Sequence, residues 1–339
     1  MTDVNAMILG CAGPELSAEE VSFFQEAQPW GFILFGRNIE TSEQVRRLVS
    51  DLRASVGRKA PVFIDQEGGT VRRLRPPMVA DYPAASRIAG LYRLDRQAGV
   101  EAAWACGRLI AADLLALGIN CNCAPVLDMP PATGSGFMAD RSYGTDVAQV
   151  AALAGAMARG LEAGGVLPVI KHIPGHGRGL ADSHKELPRV SASLDTLRSS
   201  DFLPFKALSA ALMAMTCHVV FEAIDPENPA TTSKRAIEDI IRDEIGFDGL
   251  LISDDLSMNA LSGDIATRAL AVASAGVDIV LHCNGDLAEM SAVAERVPRL
   301  QGRAYQRSEA VLKAEPVADD TDLEALRAHL NRLLTMESG

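Results

Sequence analysis

The segment Lys171-His172-Ile173-Pro174-Gly175-His176-Gly177, followed by Asp182-Ser183-His184, gathers a lysine, an aspartate and half of the chain's six histidines. Proline and glycine keep this stretch from being helical, so it reads as a polar loop. It leaves the apolar run 166–170, which has the character of a buried parallel strand and puts Lys171 and His172 at that strand's C-terminal end. Asp182 and His184 face the same way if the backbone is extended between them. The carboxylate then holds the imidazole, raises its pKa and makes a proton shuttle for neutral pH. His172 and His176 are four apart, but Pro174 and Gly175 lie between them and no Glu follows His172, which excludes a helical zinc-hydrolase motif. A loop zinc site built from His172, His176 and His184 stays open as an alternative. His176, flanked by two glycines, is otherwise expected to fix the loop through hydrogen bonds to backbone.

Ser253-Asp254-Asp255-Leu256-Ser257-Met258 places two carboxylates at the end of the buried run Leu250-Leu251-Ile252. A strand-end carboxylate facing a pocket can act as nucleophile, general base or metal ligand. Asp255 is equally suited to capping the next helix. Asp65-Gln66-Glu67-Gly68-Gly69 ends another strand, with Arg73 just beyond, and Arg141 follows the strand-end Asp128. Carboxylates and guanidiniums around one mouth suit a sugar, whose hydroxyls both donate and accept.

Converging these residues requires a scaffold. Apolar runs recur at 6–11, 31–35, 61–64, 119–127, 166–170, 213–221, 249–252 and 277–281, separated by amphipathic segments with helix-start signals such as Ser17-Ala18-Glu19-Glu20, Thr41-Ser42-Glu43-Gln44 and Ser233-Lys234-Arg235-Ala236. Eight strand-helix units predict an α/β fold closed as a (β/α)8 TIM-type barrel. The competitor, a doubly wound sheet that binds dinucleotides, lacks its Gly-x-Gly-x-x-Gly signature after the first strand. Polar residues end the apolar runs at Asp65, Asp128, Lys171, His172, His218, Asp254, His282 and Asn284, and a parallel barrel opens all those ends onto one face. The whole chain, 1–339, is expected to form one catalytic barrel domain, with residues 303–339 as a C-terminal extension of two helices broken at the polar stretch 315–320.

The net charge of −12 disfavours nucleic acid and anionic membranes as partners. The N-terminus lacks a basic start and an apolar core, and no apolar stretch reaches spanning length, so a cytoplasmic location is expected. The six cysteines sit in apolar runs without CxxC spacing and are expected to be buried and reduced.

Together, the Asp65–Gly69, Lys171–Gly177, Asp182–His184 and Ser253–Met258 motifs, with Ala124-Pro125-Val126-Leu127-Asp128 and Arg141-Ser142-Tyr143-Gly144 between them, resemble the family 3 glycoside hydrolases over nearly the whole chain. The best match is to single-domain bacterial β-N-acetylglucosaminidases (β-N-acetylhexosaminidases) of peptidoglycan recycling. The resemblance implies a retaining exo-enzyme with Asp254 as nucleophile and His184, partnered by Asp182, as general acid and base. It further implies that Asp65, Arg73, Arg141, Lys171 and His172 hold a non-reducing N-acetylglucosamine. The implied substrate is a small saccharide or 1,6-anhydro-muropeptide, with roles in cell-wall biogenesis, cell shape and division. No cofactor or metal is implied, and a monomer is expected. Two departures stand out: Thr70, where relatives often carry Arg, and Arg178 after Gly-His-Gly. A phosphorylase on the same fold and a loop-zinc hydrolase are the competing readings.

Overall fold

Apolar runs in a barrel wall are buried on both faces, and the second run shows it: all six residues of the strand it forms are buried. The computed structural model describes residues 3–131, 138–179 and 187–336. Its barrel strands are β1 (Asn5–Leu9), β2 (Pro29–Leu34), β3 (Val62–Ile64), β4 (Cys121–Asn122), β5 (Leu167–Pro168), β6 (Ile170–Ile173), β7 (Met213–Thr216), β8 (Leu250–Asp255) and β9 (Ile279–His282). Every neighbouring pair in this sheet is parallel, in the order β5-β4-β3-β2-β1-β9-β8-β7-β6.

The two ends of that order, β5 and β6, are halves of one strand interrupted at Val169. The Val169 N–H donates to the carbonyls of Asn122 (2.9 Å) and Ala124 (3.1 Å), and the Leu127 N–H donates to the Lys171 carbonyl at 2.7 Å. These bonds join β6 to the chain leaving β4, so the sheet closes on itself with eight strand positions. The (β/α)8 expectation holds. Strand boundaries shift from the sequence reading, most at three places: of the run 119–127 only Cys121–Asn122 is strand. The fifth strand runs on through Lys171 and His172 to Ile173, and the run 213–221 stops at Thr216 before a separate short strand, Val220–Phe221.

Helices cover the barrel as crossovers. Ser17 accepts from the Glu20 N–H at 3.1 Å while Glu20 accepts from the Ser17 N–H at 2.9 Å, a complete capping box for the helix Ala18–Ala27. The helix Ser42–Val56 turns Val45, Leu48, Val49 and Leu52 inward at helical spacing, each contributing roughly 1.5–3 kcal/mol on burial. Ser233 Oγ accepts from the Ala236 N–H, as its position suggested, but the helix Ala236–Glu244 is wound with wider i→i−5 turns. Beyond residue 301 two helices follow, Gly302–Lys313 and Leu323–Thr335. Among the described residues no helix is long and apolar enough to cross a membrane. All six cysteines are buried and free.

Candidate active site

At the end of β3 the chain turns into a hairpin, Gln66–Gly68 against Val71–Arg72. Buried Gln66 locks it, accepting from the N–H groups of Arg73 and Leu74 and donating to the Leu74 carbonyl, each at 3.0 Å. Asp65 and Glu67, two apart in extended chain, therefore point to the same side. Both reach Lys171 on β6, whose Nζ lies 2.8 Å from Asp65 Oδ1 and 2.7 Å from Glu67 Oε1. Arg73 donates to Asp65 Oδ2 at 2.8 Å, and Arg141 grips Glu67 with two bonds of 2.9 and 2.8 Å. Burial by itself would raise both carboxyl pKa values. Lys171 and Arg73 outweigh it at Asp65, and Arg141 and Lys171 do so at Glu67, so both are held below the usual range. Lys171 loses charge stability by burial but regains more from Asp65 and Glu67, and its pKa is raised.

Lys171 and His172 sit inside the barrel wall and are both buried. His172 Nδ1 lies 2.6 Å from Asp128 Oδ2. Asp128 is fully buried, and its carboxyl, raised by burial, is pulled below its ordinary range by His172 and His176. An ionised Asp128 can only accept, so Nδ1 carries the proton and Nε2 is left for the cavity. The same carboxylate accepts from the His176 backbone N–H at 2.6 Å. One buried aspartate thus orients the His172 ring and pins the start of the following loop. Gly177 passes so close to that segment that a Cβ would lie 2.1 Å from the Met129 carbonyl oxygen. The loop is fixed through the backbone of His176, whose ring faces that of His172 at 5.9 Å between centroids.

Burial drives the His176 pKa down to about 4 against the attraction of Asp128. In the unfolded chain it titrates near 6.5, so between those values the unfolded state binds more protons and stability rises with pH. Acidification from pH 6.5 to 4 is therefore expected to remove about 3 kcal/mol through this group, and His176→Asn to flatten that slope in denaturant titrations. An unchanged slope in the variant would refute the assignment.

β8 supplies Asp254. Its N–H donates to Thr216 Oγ1 at 3.3 Å, and its Oδ1 accepts from the Asp255 N–H at 2.8 Å. Burial raises its pKa, but nearby His218 and His172 and the Asp255 N–H lower it further, so the carboxyl is held ionised. His218, fully buried, is fastened through Nε2 to the Asp255 carbonyl and through Nδ1 to Thr231 Oγ1, both at 2.9 Å. Asp255 does not cap a helix. It accepts from the N–H groups of Ser257 (3.0 Å) and Cys283 (3.1 Å) and from the Ser257 hydroxyl, while Asp264 caps the next helix.

Asp65, Arg73, Arg141, Lys171, His172, His176 and Asp254 all line one cavity of about 180 Å³, small beside the several hundred Å³ of drug-sized pockets and suited to a single ring. Its apolar wall includes Phe35, Met215 and Met258, and the Arg73 guanidinium lies 4.9 Å from the Phe35 ring centroid. Among the described residues no group of three or more His, Cys, Asp or Glu is arranged to hold a metal ion. Asp182 and His184 lie outside the described residues. Two strand-end residues do not join the site: His282 and Asn284 both turn to Glu289. Thr70 is exposed at the hairpin tip, and Arg178 binds Asp201 (2.7 Å) and Ser200 (3.0 Å).

The Glycosyl hydrolase family 3 N terminal domain matches residues 2–313 of this chain. The chain belongs to glycoside hydrolase family 3. It is 37% identical over 317 residues to a β-hexosaminidase of Pseudomonas aeruginosa, covering 90% of this chain and 93% of the relative. Its fold is similar to that of NagZ from Neisseria gonorrhoeae in complex with N-trifluoroacetyl-D-glucosamine, with a TM-score of 0.87 and 29% identity over 99% of this chain and 98% of that one. A family 3 β-N-acetylglucosaminidase from Paenibacillus is similar as well, with a TM-score of 0.78 and 30% identity over 98% of this chain and 61% of that one.

For this family 3 glycoside hydrolase, sequence reasoning named eight of the lining residues, Asp255 included, and left two structural partners without a role. Glu67 ties Arg141 to Lys171, and Asp128 ties His172 to the loop. The signal for Glu67 was present: a carboxylate two residues from Asp65 in an extended segment falls on the same face, and Lys171 needs a second partner to stay charged in a barrel wall.

Proposed function

We propose that this chain is a retaining exo-β-N-acetylglucosaminidase that removes non-reducing N-acetylglucosamine from 1,6-anhydro-muropeptides in cell-wall recycling. The observation that carries this reading is the placement of the Asp254 carboxyl at the wall of a ring-sized cavity rimmed by Asp65, Arg73, Arg141, Lys171 and His172. The similarity to a β-hexosaminidase and to a structure holding an N-acylated glucosamine analogue supports the acetamido assignment. Lys171, Arg141 and Arg73 donate to sugar hydroxyls, and Asp65 accepts from them. Asp254 attacks the anomeric carbon as the bond to the leaving oxygen breaks, and His184, oriented by Asp182, supplies that oxygen's proton. Water then gives its proton to His184 and displaces Asp254, with net retention. Retaining glycosidases usually use two carboxylates, so a histidine donor is a departure this reading accepts. The whole of 1–339 acts as one catalytic domain, monomeric and cytoplasmic, without metal or cofactor.

The deciding experiment is turnover of an aryl β-N-acetylglucosaminide beside the matching glucoside, with and without phosphate. Clear preference for the acetamido sugar, unaffected by phosphate, is expected. Preference for the glucoside overturns the substrate, and phosphate dependence makes the enzyme a phosphorylase. His184→Ala is expected to slow poor leaving groups by roughly 10²–10⁴-fold and activated aryl ones far less, since only the former need the proton. Equal losses on both would remove His184 from the acid's place.

A further inference from the structure

The helix Leu323–Thr335 lies beyond the residues matched by the family domain, yet it is tied to the segment that holds the sugar-facing loops. Its Leu330, Leu333 and Leu334 are buried, and His329 Nε2 lies 3.1 Å from Glu101 Oε2. Two contacts reach further inward. The Arg327 guanidinium lies 5.9 Å from the Tyr82 ring centroid, and Arg87 donates to the Leu334 carbonyl at 3.1 Å. The Tyr82 hydroxyl in turn donates to Asp113 Oδ2 at 2.5 Å.

Residues 82–86 then touch both loops of the cavity's charged rim. The Tyr82 carbonyl accepts from the Gly69 N–H at 3.0 Å, and the Asp140 carbonyl accepts from the Ser86 N–H at 3.2 Å. The contact at the hairpin turn is tight: a Cβ on Gly68 would sit 2.5 Å from the Pro83 oxygen, and one on Gly69 2.7 Å from the Ala84 Cβ. Both glycines also have positive φ, 97° and 59°, so the turn is fixed in shape as well as place. Gly69 is two residues from Glu67 and Asp140 is adjacent to Arg141. The bidentate Glu67–Arg141 pair, which sets where Lys171 and Arg141 present their donors, is therefore assembled on a platform of residues 82–86.

We infer that the C-terminal helix, through Arg327 on Tyr82 and the Leu334 carbonyl on Arg87, clamps this platform, making Tyr82 and Arg327 positioning residues for Arg141 and Lys171. The inference rests on the proposed sugar site, because it assigns those two cations to substrate. Loosening the clamp displaces donors that bind the sugar in ground and transition states alike, while Asp254, on β8, keeps its place. The consequence is weaker binding at nearly unchanged turnover.

The test uses the full chain carrying Arg327→Ala or Tyr82→Leu, which removes the ring that Arg327 covers, with Arg332→Ala as a control at an exposed position of the same helix. Steady-state kinetics on an aryl β-N-acetylglucosaminide and thermal melts are run on all four proteins. KM is expected to rise roughly three- to tenfold in the first two variants, with kcat within twofold and the Arg332 variant unchanged. Wild-type KM in both variants overturns the clamp, whatever their melting temperatures, because a purely structural helix would lower stability alone. A fall in kcat with unaltered KM overturns it too. Failure of the wild-type enzyme to turn over the N-acetylglucosaminide is a different result and counts against the proposed function.

Discussion

Asp254→Ala is expected to lower kcat by roughly four to six orders of magnitude while the protein still folds and still binds sugar. The fold should survive because the side chain is held mainly by the Asp255 N–H at its own strand end, and among the described residues no ion pair to Asp254 closes a structural network. Removing it also relieves the burial cost that competes with the pull of His218 and His172 on this carboxyl. Turnover should collapse because the carboxylate that attacks the anomeric carbon is gone, whereas Lys171, Arg141, Arg73 and Asp65 remain to seat the ring. Small anions give the sharper readout. Azide fits the space the carboxylate leaves, attacks the anomeric carbon from the same face and produces a glycosyl azide of inverted configuration, restoring part of the rate on an activated aryl glycoside. Retention of wild-type turnover, or rescue giving a retained product, would eliminate Asp254 as nucleophile. The wild-type pH profile carries the same message. A carboxyl held below its ordinary range is ionised throughout the neutral range, so loss of activity near neutral pH must come from another group.

The barrel was legible because its strands are buried on both faces and therefore spell continuous apolar runs such as Phe32-Ile33-Leu34 and Leu250-Leu251-Ile252. Strand ends were harder wherever charge enters the wall. Lys171 and His172 read as the end of a strand before a polar loop, and they lie within β6, which runs on to Ile173, because Asp65, Glu67 and Asp128, all far away in sequence, compensate their burial. Pattern rules assign a buried lysine to the surface unless its partners are known. The convergence of Asp65, Lys171 and Asp254 followed from one topological rule about parallel barrels and needed no contact information. His282 and Asn284 obey the same rule for position but not for function: the rule places a strand end on the correct face without fixing which way its side chain turns, and these two turn to Glu289. The platform at 82–86 had no sequence signature, since it works through backbone carbonyls and the missing side chains of Gly68 and Gly69.

Lys171→Met should be the most damaging substitution for stability among the cavity residues. Lys171 is 2% exposed and its ammonium is shared by two carboxylates, at 2.8 and 2.7 Å. Methionine matches the stem but leaves Asp65 and Glu67 close together in a low dielectric with only Arg73 and Arg141 to oppose them, and breaking a buried pair in this way costs about 3–5 kcal/mol. The pair of exposed Lys313 with half-buried Glu309, 3.9 Å apart, is the natural control, and Lys313→Met should cost no more than about 1 kcal/mol. The pH dependence distinguishes lost charge from lost packing. Asp65 and Glu67 have folded pKa values below their unfolded ones, so their contribution is present above pH 4 and is lost as pH falls toward the folded values. Without Lys171 that depression shrinks. The stability gap between wild type and variant should therefore be widest at neutral pH and narrow below about pH 4, where the variant's carboxyls take up protons first. Adding Glu67→Gln to Lys171→Met removes one of the two stranded charges and should recover part of the loss, a non-additivity expected only of groups in contact. Denaturant titrations at neutral and acid pH measure both effects. A gap that stays constant with pH, together with an additive double variant, would mean that Lys171 contributes only its volume to the barrel wall.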